Sequence, residues 1–324
     1  MQSRVPSPPL APGLLRAGTR IRVDVVSASI AQAMRASGIG YILLKGPSFS
    51  RWLYDEGFER TYADTDILVN PNALLEAEAV IGSLGFCKGP GPSFGEKDWT
   101  SWAWQRRRDG AVVDLHRSLE GLGVSPLEAW HVVCSNIHSI EIAGTTVDVL
   151  DEVARAVHLS LHAAYHGAAE QPLEDLRRGL DRLSMQIWIE AASLARRLEA
   201  LPAFASGLRQ LPRGCLLVEK LALPVETTSE LVLRARSAPG AAIFVNRLVQ
   251  LPGWRAKCRY VLGKLFPSAD YIRDWSGRKL NGRVALSVAY IWRSLVLTLQ
   301  APRGLVAWAS ARKETNRRSR AGDL

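Results

Sequence analysis

The chain has 324 residues, room for about two domains of roughly 150 residues each, and nearly half of its residues are hydrophobic, which argues against wholesale disorder. Lys and Arg number 41 against 31 Asp and Glu, a net charge of +10. That surplus favours polyanionic partners (nucleotides, RNA or an anionic membrane surface) without choosing among them, and an arginine-rich composition alone also produces it. Cys87, Cys134, Cys215 and Cys258 are far apart and form no CxxC pair, which argues against a disulfide framework or a thiolate zinc site and suits a reducing cytoplasm.

Residues 3–13 are rich in proline and lack the apolar run of a signal peptide, so residues 1–20 read as a flexible leader. Residues 21–37 suit a helix closed by Gly38 and Gly40. A short buried strand at 41–44, a helix at 48–54, a strand at 66–69 and a helix at 72–84 follow, the last stopped by Gly85. A loop at 89–95 leads into strands at 101–107 and 111–116 around Asp109-Gly110, a strong hairpin signal. Residues 137–142 and 145–150 form a second expected hairpin across Ala143-Gly144. After Asp151 helical periodicity dominates, interrupted by prolines from Pro172 to Pro267. The expected organisation is an α+β domain at 21–150, a helical domain at 151–311 and a basic disordered tail at 312–324. The apolar stretch 284–299 contains Arg293 and falls short of a bilayer span, so it reads as a buried or amphipathic helix and no transmembrane segment is expected. Docking of that helix and the basic tail on a membrane surface is the alternative.

The informative stretch is residues 43–69, LLKGPSFSRWLYDEGFERTYADTDILV. Asp64 and Asp66 stand two apart at the start of a strand and therefore point to one face. Adjacent carboxylates repel unless a cation lies between them, and magnesium takes oxygen ligands while keeping waters and substrate phosphates. Asp114 sits inside the apolar run VVDL, where an unpaired charge is expensive to bury. If its strand lies beside that of Asp66, the three carboxylates converge and suit two-metal chemistry on a triphosphate. The plain alternative makes Asp64 and Asp66 a turn cap and Asp114 a surface hairpin residue.

Lys45-Gly46 follows the first strand directly. A glycine there lets backbone amides approach phosphate, Ser48 can add a hydroxyl, and Lys45 can add a cation or simply pair with Asp64 or Asp66. Arg60 is a second candidate phosphate or carboxylate partner, or else a loop surface charge. His116, two residues after Asp114, can orient a carboxylate or touch phosphate. His158, His162 and His166 share one helical face. They could bind zinc, but read better as neutral, hydrogen-bonded histidines lining an interdomain cleft. Asp181 lies in an Arg-rich helix, where an aspartate ordinarily makes surface pairs. Trp99, Trp102 and Trp104 read as core or sheet-face packing, and Arg106 to Arg108 as a solvated hairpin tip.

At these residues the chain resembles the polymerase-beta-type nucleotidyltransferase superfamily, and more narrowly a bacterial group of uncharacterised nucleotidyltransferases. Leu44-Lys45-Gly46, the RxxxDxD of Arg60 to Asp66, and Val113-Asp114-Leu115-His116 carry the likeness. It extends through HLSLHAAYH at 158–166, LRRGLDRL at 176–183 and KLFPSADYIRDW at 264–275. The resemblance implies a small mixed sheet with flanking helices, followed by a helical domain that closes over the nucleotide. It implies transfer of a nucleoside monophosphate from an NTP such as ATP to an acceptor, with release of pyrophosphate. Asp64, Asp66 and Asp114 would hold magnesium, with manganese as a substitute, and Asp114 would also serve as base. Gly46 and Ser48 would cradle phosphates, and Asp181 would become a cleft residue. The superfamily's Gly-Ser step is here Gly46-Pro47-Ser48, in which Pro47 removes a backbone donor, and the spacing from Gly46 to Asp64 is long. The acceptor stays open among an RNA end, a protein or peptide, and a small molecule. The alternatives are a non-catalytic nucleotide- or RNA-binding regulatory protein and a tRNA-modifying toxin. A cytoplasmic location is expected.

Overall fold

The computed structural model describes residues 12–55, 60–89, 100–167, 169–276 and 282–322. Seven strands form one mixed sheet: β1 (Tyr41–Leu43), β2 (Asp64–Val69), β3 (Cys87–Lys88), β4 (Ser101–Arg106), β5 (Ala111–His116), β6 (Ile137–Ile142) and β7 (Thr145–Leu150). Their order across the sheet is β3-β4-β5-β2-β1-β7-β6. β2 runs parallel to β5 and β1 parallel to β7, and every other neighbouring pair is antiparallel. Helices α1 (Pro12–Ala36), α2 (Pro47–Leu53), α3 (Leu74–Ser83) and α4 (Pro126–Val133) are interleaved with the strands. Among the described residues, the regular elements after β7 are all helices: α5 (Glu152–His166), α6 (Glu170–Arg182), α7 (Met185–Arg197), α8 (Leu201–Leu208), α9 (Pro212–Lys220), α10 (Ser229–Ala235), α11 (Gly240–Gln250), α12 (Gly253–Leu265), α13 (Ala269–Ser276) and α14 (Arg283–Gly322).

The period-2 alternation of the strands divides the core between the two sheet faces. Leu43, Ile67, Val69, Val113 and Leu115 turn towards α1 and α3, where they pack with Ile30, Met34, Ala77 and Ile81. Ile42 and Leu68 turn the other way and share a cluster with Val157, Leu161, Trp188 and Phe204 of α5, α7 and α8. This second cluster passes through residue 150 without interruption, so the first helices after the expected domain boundary pack as part of the sheet's own core. Asp151 caps α5, accepting a 2.7 Å hydrogen bond from the Ala154 amide.

Several expected elements shift. Residues 12–20, expected in the flexible leader, form the first turns of α1, with Pro12 at its start, where a missing N–H is tolerated; residues 1–11 lie outside the described residues. Two short elements were not expected: β3 is a two-residue edge strand, and α4 is capped by Ser125 ahead of Pro126. Most of the expected 89–95 loop and Trp99 lie outside the described residues. Trp102 and Trp104 are buried, as core packing requires. Residues 312–322, expected as a disordered tail, continue α14, because Ala311 is fully buried against α10 and α11 and Glu314 pairs with Arg236. The stretch 284–299 is helical but not core: only 11% of the most apolar window of α14 is buried. By length and composition, α14 is a helix that could cross a membrane.

α5 and α8 approach closely at Gly207, where a Cβ would stand 1.8 Å from the Ser160 carbonyl oxygen. Gly207→Ala must push these helices apart, and urea denaturation should register a loss of about 1–3 kcal/mol. Gly82→Ala on α3, where a Cβ meets nothing within 4 Å, should instead gain up to about 1 kcal/mol from helix propensity.

Candidate active site

β2 and β5 lie side by side at the centre of the sheet, in a register that sets Asp66 opposite Asp114 and Asp64 opposite Val112. Because Ile67, Val113 and Leu115 take the α1 face, Asp64, Asp66, Asp114 and His116 all take the face that carries α5. Lys45 arrives from the neighbouring strand: the Leu44 amide bonds the Asp66 carbonyl at 3.0 Å, and the chain then turns at Gly46. Gly46 has φ +56°, a conformation in which any side chain is strained, and a Cβ there would also meet the Tyr62 ring and the Asp64 carbonyl. The turn leaves the Lys45 ammonium 2.8 Å from Asp66 Oδ1. His116 Nε2 lies 3.0 Å from that same oxygen.

Ligand atoms of Asp66, Asp114 and His116 all fall within 4.8 Å of one another. The expected trio is therefore met in part. Asp66 and Asp114 converge and His116 joins them, whereas Asp64 shares the face but lies outside that span. Its charge is still felt: burial first, then Asp66, raises the Asp64 carboxyl above its ordinary range, and the same two causes raise Asp114. Asp66 moves the other way. Burial alone would raise it, but the Lys45 ammonium and His116 outweigh burial and hold it below the ordinary carboxylate range. For Lys45, burial is outweighed by Asp66, followed by Asp64 and Asp114, which together raise it. Three carboxylates thus share one ammonium. Such an oxygen-rich, electronegative donor set fits a hard divalent cation such as magnesium or manganese.

Asp114 opens into a cavity of about 140 Å³ that Lys45 and His116 also line on the sheet side. His158, His162 and His166 of α5 form the facing wall, with Glu120 and Tyr165 beside them. Burial pushes His158 down to about 3 and, with help from the Lys45 charge, holds His162 well below its ordinary value, so both imidazoles are neutral at pH 7. His158 packs edge-on to Phe49 at 5.4 Å, and its Nδ1 has no hydrogen-bond partner among the described residues. His166 reaches Glu120 at 3.0 Å. A larger hollow of about 210 Å³ between α1 and α4 is lined by Arg35, Tyr41, Trp130 and Asp148. It holds none of these groups, and chemistry rather than size locates the site.

Other expected residues are placed differently. Arg60, a candidate partner for phosphate or for a carboxylate, takes a carboxylate: it is 5% exposed and gripped by Asp175 of α6 through bonds of 2.9 Å from Nε and 2.7 Å from Nη2. Tyr54 and Gln171 also donate to Asp175, at 2.7 Å and 3.1 Å, and the Arg60 guanidinium lies over the Phe49 ring. A guanidinium held in that way ties α6 to the approach of β2 and is withdrawn from ligand binding. Asp181, expected in the cleft, is exposed and pairs with Arg177 and Arg213, because it falls on the outer face of α6 while Asp175 falls on the inner one. Ser48 is wholly buried, and its hydroxyl has no hydrogen-bond partner among the described residues. Sequence reading missed Asp175 and Glu120. The first shows its burial through its helical spacing with Pro172, Leu176 and Gly179; the second carries no local signal.

A family model described as uncharacterised nucleotidyltransferase matches residues 19–213. Among solved structures, the chain is similar to an antigenic nucleotidyltransferase-like protein from Paracoccidioides brasiliensis, at 15% identity and a TM-score of 0.33, covering 56% of this chain and 92% of that one. It is also similar to the antibiotic-resistance factor ANT(2'')-Ia, at 15% identity and a TM-score of 0.38, covering 57% of this chain and 95% of that one. Among curated proteins, none matches significantly.

Breaking the buried pair should cost far more than losing a surface charge. Arg60→Ala leaves the Asp175 carboxylate buried and uncompensated, and chemical denaturation should show a loss of about 3–5 kcal/mol. Protonation provides a second check. Below about pH 6.5 the unfolded chain takes up a proton that folded His158 refuses down to about 3, so this contribution is complete above 6.5 and is lost as pH falls through that window. His158→Gln should flatten the fall in stability between those limits by about 1.4 kcal/mol per pH unit relative to the unsubstituted chain, read from urea midpoints across the window.

Proposed function

The chain belongs to the uncharacterised nucleotidyltransferase family, and we propose that it transfers a nucleoside monophosphate from an NTP, ATP among the candidates, to an acceptor, in a reaction that depends on magnesium or manganese. The observation that carries this reading is the pairing of Asp66 with Asp114 across adjacent parallel strands, with Asp64 on the same face and Lys45 in contact. Asp66 and Asp114, with Asp64 and His116 beside them, would hold a divalent ion that neutralises charge on the triphosphate.

The remaining work falls to the chain's own groups. The acceptor oxygen bonds to the α-phosphorus, the bond between that phosphorus and its bridging oxygen breaks, and pyrophosphate leaves. Asp114, made more basic by burial and by Asp66, takes the acceptor's proton. Lys45 offers a positive charge to the phosphate oxygens once its carboxylate partner is otherwise engaged. His116 fixes the orientation of Asp66 through the 3.0 Å contact. The neutral wall of His158 and His162 narrows the cavity and limits water without adding charge. The acceptor is an RNA end, a protein or peptide, or a small molecule, and adduct mapping by mass spectrometry with each labelled NTP identifies which.

Asp114→Asn separates activity from stability. It relieves repulsion with Asp66, so the folded state should hold or gain stability, while nucleotidyl transfer falls about a thousandfold, roughly 4 kcal/mol of barrier. Pyrophosphate release followed beside thermal melting checks both; undiminished turnover in this variant would remove Asp114 from the reaction, and NTP binding without pyrophosphate release by the unsubstituted chain would leave a binding protein.

A further inference from the structure

The charge of this chain is segregated. Residues 240–324 carry 16 Lys and Arg against four Asp and Glu, a net +12, whereas residues 1–239 carry 25 against 27, a net −2. The positive surplus therefore lies entirely in the segment that begins with α11, and not in the part of the chain that holds the carboxylate site. The same segment exposes an unusual amount of apolar surface. On α14, Val284, Val288, Ile291, Leu295 and Leu299 recur at spacings of three and four and are 47–79% exposed. Val306, 72% exposed, continues this face, and Lys313 and Arg317, both exposed, fall on it in the same helical register. Arg283 flanks the row at its other end, and Trp292 stands beside it. Trp254 and Phe266, at the two ends of α12, are also largely exposed.

We propose that α14 docks flat on an anionic phospholipid bilayer, its apolar row entering the headgroup boundary and its terminal basic residues meeting lipid phosphates. An apolar face bounded by arginine and lysine, with tryptophan at its margin, is the composition that binds in the plane of such an interface. Three other arrangements fit less well. A second copy of the chain would cover the apolar row, but a two-fold contact would bring two strongly positive segments together. A nucleic acid would answer the charge and leave the row of Val, Ile and Leu facing water. A membrane-spanning α14 would have to leave the contacts that hold its opposite face. Arg293 donates to the Lys264 carbonyl, Tyr290 to the Pro267 carbonyl, Ala311 is buried, and Gly304 is packed against Ala241. Spanning would also carry Arg293 into hydrocarbon.

The test is co-sedimentation of the full chain with vesicles of phosphatidylcholine alone and of phosphatidylcholine mixed with phosphatidylglycerol. The protein is expected to pellet with the anionic vesicles only, and to be released by alkaline carbonate. The double substitution V288E/I291E, on exposed positions, should abolish pelleting while leaving the melting temperature and the nucleotidyl transfer rate unchanged. K313Q/R317Q should weaken binding by on the order of tenfold to a hundredfold, at about one power of ten or slightly less per basic residue. Equal pelleting with both vesicle types, pelleting unaffected by V288E/I291E, or retention through carbonate would each overturn the proposal. So would light scattering that shows a dimer which V288E/I291E dissociates, or an RNA that binds the basic segment with no loss in V288E/I291E while anionic vesicles fail to bind.

Discussion

Parallel pairing of β2 with β5 forces Asp66 and Asp114 into register on one face of the sheet, and the local structure is arranged around that conflict of like charges. Two carboxylates at this separation, one buried and one half-buried, repel strongly, and burial worsens the repulsion by removing water. The chain answers with a lysine on the next strand and a histidine two residues after Asp114, both directed at the same oxygen of Asp66. The answer is incomplete, since one ammonium faces three carboxylates and two of these remain raised above their ordinary range. An incompletely compensated acidic cluster destabilises the fold locally, and a bound cation relieves it. On the proposed reading, the same imbalance that weakens the folded state would give the site its affinity for a metal and, through it, for a triphosphate.

The scaffold around the cluster keeps these groups from relaxing apart. α5 crosses the face that holds the carboxylates and shares its core with Ile42 and Leu68, so the histidine wall is fixed by the same packing that fixes the strands. Arg60 and Asp175 close the other side, locking α6 to the segment that enters β2 through a pair almost without exposure. The arginine four residues upstream of Asp64 therefore has a structural reason in this chain: it ties the segment that enters β2 to α6.

What the sequence revealed follows from what is local. The Asp109-Gly110 hairpin was legible because Gly110 supplies a positive φ between two apolar alternations, and so was the Ala143-Gly144 hairpin, where both turn residues have positive φ. Asp64 and Asp66 were legible as a same-face pair from strand periodicity alone. The parallel register that adds Asp114 was only conditional, because no local pattern specifies which distant strand lies alongside. Arg60 stayed open between phosphate and carboxylate for the same reason, since its partner lies 115 positions away on a helix whose buried face periodicity suggests but whose neighbour it does not. The 284–299 run misled for another reason: composition measures how apolar a helix is, not whether anything covers it, and here little does.

Direct observation of the cation tests the central claim without relying on turnover. Electron paramagnetic resonance of manganese titrated into the purified chain with an NTP present should show bound ion, displaced by magnesium, with affinity weakened at least about tenfold, roughly 1.4 kcal/mol, in the Asp114→Asn chain. Manganese that stays free, or that binds the substituted and unsubstituted chains equally, would contradict the claim that these carboxylates form a shared metal site.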